Sequence, residues 1–201
     1  MARPSCGLAN TVMEEEFRFV ECDKERHGTA MLHIFNDAIL NTTSLYELEP
    51  RTPEFMSSWF DDKKAGDWPV FGLENDDGVL IGFATYGAFR PRPCYRFTVE
   101  HSIYVDSRFR GRGHGKRLLE EVLRRAESQG FHVVVGVIDS SNAASVTLHE
   151  KAGFLSCGVI RHAGYKFGRW LDTCIMQLLL KDPQGAALLS LFPPFSPSLV
   201  Q

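Results

Sequence analysis

Three glycines alternate with basic residues in the run Arg110-Gly111-Arg112-Gly113-His114-Gly115-Lys116. Glycine lets main chain come close to a ligand and adopts conformations that a Cβ resists. A helical pattern follows directly. Leu118, Leu119, Val122, Leu123 and Ala126 recur on one face, while Glu120 with Arg124 and Glu121 with Arg125 form i,i+4 pairs on the other. A helix start offers unpaired N–H groups and the positive end of the helix dipole. Arg110, Arg112, Lys116 and Arg117 add positive charge, so the chemistry on offer is recognition of a pyrophosphate. The plain alternative is a tight strand-to-helix connection with no ligand. Two familiar phosphate loops do not fit. No Gly-Lys-Ser/Thr occurs at P-loop spacing, and the third glycine comes one residue too early for the dinucleotide fingerprint.

A loop of this kind needs a strand before it and a helix after it. Tyr95 to Val105 reads as the strand, and the helix after the loop stops at Gly130. Earlier in the chain, Glu16 to Cys22 reads as a first strand and Gly28 to Asn41 as an amphipathic helix with Met31, Ile34, Phe35, Ala38 and Ile39 inward. Thr52 can cap and Pro53 can open a second helix that ends near Gly66. Pro69 to Leu73 and Val79 to Tyr86 flank Glu74-Asn75-Asp76-Asp77-Gly78, a hairpin signal. Gly87 to Cys94 is a loop. Phe131 to Ile138 is nearly all apolar, as a strand buried on both faces would be. Asp139 to Asn142 is a turn and cap, Ala143 to Ala152 a helix closed by Gly153, Gly158 to Gly168 a strand with a turn, and Arg169 to Leu180 a last strand. Residues 1–15 read as a flexible leader. Pro183, Pro193, Pro194 and Pro197 make 181–201 a C-terminal tail, leaving 16–180 as one domain. The order of strands and helices implies an α/β domain, a mixed sheet with helices on both faces.

The composition is that of one ordinary globular domain: 201 residues, 44% hydrophobic and 23% charged, with net charge −3. The lack of basic excess argues against nucleic-acid binding. Five scattered cysteines without a C-x-x-C suggest free thiols in a reducing cytoplasm rather than disulfides or a metal site. No secretory signal is seen, and no apolar run approaches the ~20 residues that span a bilayer, so no membrane partner is expected.

The run Arg110-Gly111-Arg112-Gly113-His114-Gly115 resembles the acyl-CoA signature of the GNAT superfamily of N-acetyltransferases, Arg/Gln-x-x-Gly-x-Gly/Ala. Four further stretches extend the resemblance over roughly Phe17 to Leu180: Thr98-Val99-Glu100-His101-Ser102-Ile103-Tyr104-Val105, Ser141-Asn142-Ala143-Ala144-Ser145, Leu148-His149-Glu150-Lys151-Ala152-Gly153-Phe154, and Gly164 to Asp172. Together they look like the branch of phosphinothricin N-acetyltransferases and L-amino-acid N-acyltransferases acting on methionine sulfone and methionine sulfoximine.

The resemblance implies a GNAT fold with acetyl-CoA as cosubstrate and no metal. It places the pantetheine chain along the backbone of Ile103, Tyr104 and Val105, and the pyrophosphate at Gly111, Arg112, Gly113, His114, Gly115 and Lys116. Asn142 would touch the cofactor, cap its helix, or do both. Glu100 becomes the candidate general base, because an amine arrives mainly as ammonium and must lose a proton. Read without the resemblance, Glu100 is a surface carboxylate paired with Arg96 or another cation. His149 could relay a proton, orient the acceptor, or be a structural histidine. His101 should point to the face opposite Glu100 and is read as structural or as a rim residue. Tyr104 shares the parity of Glu100. Arg90 and Arg92, on a loop stiffened by Pro91 and Pro93, would bind an acceptor carboxylate; the alternative is a pair of solvated arginines. The expected activity is direct acetyl transfer to the α-amine of a small amino-acid-like acceptor by a homodimer. Other readings are acetylation of a polyamine or a protein N-terminus, and a non-catalytic CoA-binding sensor.

Overall fold

The computed structural model describes residues 17–181. The expected leader and most of the expected tail lie outside the described residues. Seven strands form one sheet in the order β1-β2-β3-β4-β5-β7-β6. They are β1 (Phe17–Glu21), β2 (Val70–Asn75), β3 (Leu80–Ala88), β4 (Thr98–Val105), β5 (Val133–Asp139), β6 (Leu155–Lys166) and β7 (Arg169–Leu179). The helices are α1 (Lys24–Asn41), α2 (Pro53–Ala65), α3 (His114–Ser128) and α4 (Ala143–Lys151). All neighbouring strands run antiparallel except β4 and β5, which are parallel. No helix is long and apolar enough to cross a membrane among the described residues.

Two apolar layers hold the sheet between helices. On one face Leu118, Leu119, Val122 and Ala126 of α3 pack with Phe71, Leu73, Ile81, Val99 and Val134. On the other, Met31, Ile34 and Phe35 of α1 and Met56 of α2 pack with Val70, Leu80 and Phe83. The side chains singled out by helical spacing on α1 and α3 are buried, except Leu123, which is partly buried. Thr52 caps α2 by accepting from the Phe55 N–H at 3.2 Å.

The structure moves several element boundaries, each for a local reason. Helix α1 begins at Lys24, four residues before the expected Gly28, because Asp23 caps it by accepting from the Arg26 N–H at 2.7 Å. Its first turn is polar and so carries no apolar period. Strand β4 begins at Thr98 rather than Tyr95. Pro93 opens a 3₁₀ turn closed by Tyr95 N–H to Arg92 O (2.9 Å) and Arg96 N–H to Pro93 O (3.1 Å). Strand β5 is not buried on both faces throughout, since Val137 is 44% exposed. Strand β6 begins at Leu155 and is broken by register shifts at Ser156/Gly158 and Ile160/Gly164.

The N-terminal end of α1 is fastened to the sheet by one carboxylate. Glu74 is 1% exposed and accepts from Arg26 Nη2 (2.7 and 2.8 Å), Arg18 Nη2 (3.1 Å) and His27 Nε2 (3.2 Å). The Asp23 N–H donates to His27 Nδ1 at 3.1 Å, which leaves the proton on Nε2, facing Glu74. Glu74→Ala is expected to cost about 1–3 kcal/mol in urea unfolding, the penalty for stranding the buried His27 donor. The two arginines are half-exposed or more and can turn to water.

Candidate active site

Strand β4 pairs with β3 from Ala88↔Val99 to Gly82↔Val105. It pairs with β5 only at Thr98↔Val133, Val99↔Val134 and Glu100↔Val135. Beyond Glu100 the two parallel strands part. The facing edges of 101–105 and 136–139 have no ladder partner across the gap, so their main-chain groups can serve a ligand. A cleft of about 330 Å³ occupies the gap.

Most of the residues expected at a cofactor line this cleft. Ile103, Tyr104 and Val105 come from β4, Gly111, Gly113, His114 and Gly115 from the turn into α3, and Asn142 from the N-cap of α4; His149 of α4, expected as a catalytic residue, lines it as well. Gly111 and Gly113 have φ of 77° and 85°, in the left-handed region, and a Cβ on either would meet nothing within 4 Å. Gly113 is the N-cap of α3, and no side chain caps that helix. The turn thus presents main chain to open space at a helix N-terminus, which suits phosphate oxygens. Acetyl-CoA, whose pyrophosphate needs such a cradle, fits these residues.

The basic side chains around the turn are less directly placed. Arg110 donates to Val105 O at 2.9 Å and to Asp37 at 2.8 Å, so it braces α1 against the turn. Lys116 is exposed and lies 3.6 Å from Glu120. Neither Lys116 nor Arg112 is among the cleft-lining residues. Asn142 fulfils one alternative fully: its Oδ1 caps α4 by accepting from the Ser145 N–H at 3.1 Å, and the residue also lines the cleft.

Glu100 and Tyr104 point to the α1–α2 side of β4, away from His101. The Tyr104 ring packs 4.9 Å from Phe35 and 5.3 Å from Phe83, and burial pushes its phenol up to about 12. Glu100 stands at the last paired position before β4 and β5 diverge. Burial raises its carboxyl above the usual range, and Arg90, with Nη1 3.9 Å away, pulls it back down. Glu100, Arg90 and Arg92 are not walls of the cleft. Arg90 instead folds over the Phe89 ring at 4.2 Å and donates to Phe89 O.

Two features were not legible as site features. Lys166, 3% exposed, donates to Thr42 O (3.0 Å) and Leu45 O (2.6 Å), pinning the loop after α1 whose Ser44 lines the cleft. His101, 8% exposed, meets His149 across the base of the cleft. Alternation placed His101 on the correct face, but nothing local announces a partner 48 residues away. No group of three His, Cys, Asp or Glu side chains that could hold a metal occurs among the described residues.

The profile of the Acetyltransferase (GNAT) family matches residues 36–154. An L-methionine sulfoximine/L-methionine sulfone acetyltransferase of Pseudomonas aeruginosa is 43% identical over 157 residues, 78% of this chain and 91% of that protein. The crystal structure of an N-acetyltransferase from Staphylococcus aureus Mu50 is 42% identical, with TM-score 0.80 over 83% of this chain and 99% of that one. A GNAT superfamily phosphinothricin acetyltransferase from Sinorhizobium meliloti, solved in complex with acetyl-CoA, is 34% identical, with TM-score 0.78 over 82% of this chain and 88% of that one.

Proposed function

The chain belongs to the GNAT acetyltransferase family, and from that membership we propose that it moves acetyl from acetyl-CoA to the α-amine of a small amino-acid-like acceptor. Methionine sulfoximine, methionine sulfone and phosphinothricin are the acceptors that the relatives' names suggest. The observation that carries the reading is the parting of β4 and β5 at Glu100, with the glycine turn across its mouth.

Acetyl-CoA supplies an acyl group activated as a thioester. Main chain of Ile103, Tyr104 and Val105 holds the pantetheine. Gly111 to Lys116 hold the pyrophosphate, with Arg112 and Lys116 adding field rather than fixed bonds, and Asn142 borders the cofactor while capping α4. Glu100 takes the ammonium proton, directly or through water, so that the amine nitrogen can form its bond to the carbonyl carbon; the C–S bond then breaks, and CoA leaves as a thiolate that takes up the second proton lost from nitrogen. Main-chain N–H groups near Tyr104 polarise the carbonyl oxygen. His149 borders the cleft with its Nδ1 held by the Ser145 carbonyl oxygen. Arg90 and Arg92 offer guanidinium groups to the acceptor's carboxylate, and Arg90 already leans toward Glu100. That cationic loop favours an anionic acceptor over a polyamine. Comparing kcat/KM for methionine sulfone, spermidine and a peptide N-terminus tests the choice. Preference for the sulfone supports the reading, and preference for either of the others overturns it.

The same reading makes the protein a cytoplasmic homodimer. The outer strand β6 exposes Leu155, Val159, Ile160 and Tyr165, and Phe167 and Trp170 continue that surface around the hairpin. A long apolar edge strand invites a partner. Light scattering at micromolar concentration is expected to give a dimer mass, and Ile160→Lys a monomer. A wild-type monomer would contradict the assignment.

A further inference from the structure

His101 and His149 form a pair whose rings meet edge to edge through their Nε2 atoms. Their Nε2 atoms are 3.0 Å apart, and their rings lie 5.0 Å apart at 15°. His149 Nδ1 is 2.7 Å from the Ser145 carbonyl oxygen. A carbonyl only accepts, so Nδ1 of His149 carries a proton. In a neutral His149 the Nε2 atom is then a bare acceptor, and the proton between the rings belongs to Nε2 of His101. Phe154 closes the pair off, 5.8 Å from His101 and 5.0 Å from His149. Gly136 of β5 makes the room. A Cβ there would come within 3.2 Å of His101 Nε2 and 3.2–3.3 Å of the His149 ring.

Resting on the acetyl-transfer reading, we propose that His101 is a positioning residue: its Nε2–H occupies the Nε2 lone pair of His149 and fixes the two rings as one unit under the cleft. His149 then has no nitrogen left to take a proton by itself. Burial lowers both rings, His101 to about 3, where the neighbouring His149 adds to the effect. The base of the cleft is therefore uncharged at neutral pH. That matters because the acceptor arrives as an ammonium ion, and an imidazolium beside it would repel it. Glu100 is left as the ionised group for the ammonium to meet.

The groups around the pair support this arrangement. Glu100 lies on the other face of β4. Asp139 is at the far end of β5, where Ser141 binds it. Glu150 and Lys151 of α4 are exposed, β7 brings apolar Met176 and Cys174, and His114 lines the cleft from α3.

Nitrogen-15 NMR of the imidazoles, read from about pH 5.5 to 8, tests the unit in wild type. His149 is expected as the Nδ1–H tautomer and His101 as the Nε2–H tautomer, neither titrating. His101→Phe keeps the ring but removes the donor, so His149 should begin to titrate in that range. The acceptor kcat/KM should then fall by about tenfold at pH 6 and less at pH 8. His101→Gln can still donate an N–H and should restore most of the wild-type profile. A His149 protonated at Nε2 in wild type, or a His101→Phe profile equal to wild type, overturns the proposal. If His101→Phe does not fold, the wild-type tautomers alone decide. They also separate this proposal from the acetyl-transfer reading, because they need no turnover.

Discussion

Glu100→Gln is expected to lower kcat by about 10²–10⁴-fold at pH 7, the usual worth of a positioned general base. Glutamine keeps the shape of the side chain at the position where β4 and β5 part, and removes only the proton acceptor. Acetyl-CoA affinity should survive, since the partners proposed for it are main chain and the glycine turn. The loss should shrink as pH rises, because more acceptor then arrives as free amine. The acid side of the profile carries a second signature. Burial raises the carboxyl of Glu100, so wild-type activity should begin to fall, as pH drops, at a higher pH than an ordinary glutamate would give. Arg90 opposes that shift, so Arg90→Ala should move the acid limb higher still. Wild-type kcat in Glu100→Gln would contradict the assignment. A large loss independent of pH would mean that Glu100 holds the amine without deprotonating it.

Gly113→Val is expected to weaken acetyl-CoA binding by about 10–100-fold, the worth of one charge-assisted hydrogen bond from main chain to phosphate. Two causes act together. The residue caps α3 at φ 85°, a conformation that β-branched side chains resist. The space beyond its Cα is open, so a side chain would stand where phosphate oxygens approach. Gly115→Ala is the control. A Cβ at Gly115 would meet only Leu148 at 3.5 Å and Val105 at 4.0 Å, ordinary packing, and that variant should bind nearly as wild type does. Calorimetry on a folded Gly113→Val protein with unchanged affinity would remove the pyrophosphate from this turn.

The parts of this molecule that were legible in sequence are those written in local pattern. Apolar spacing gave the buried faces of α1 and α3, and the glycines marked the turn between β4 and α3. The motif resemblance supplied what periodicity cannot, namely the GNAT topology. Boundaries failed where a polar cap or a proline turn, rather than an apolar residue, sets the end of an element. Asp23 at α1 and Pro93 before β4 are the two cases. The pairing of His101 with His149 and the grip of Lys166 on Thr42 and Leu45 were invisible for another reason. Both join residues far apart in the chain, and only the packed sheet brings them together.

The most direct test uses acetyl-CoA carrying carbon-13 in its carbonyl, incubated with the protein and methionine sulfone. The expected result is transfer of the labelled carbon to an amide on the acceptor's α-nitrogen, with one thiol released for each amide formed and no labelled protein at any time. Label that stays on CoA, although CoA binds in the cleft, would contradict the account.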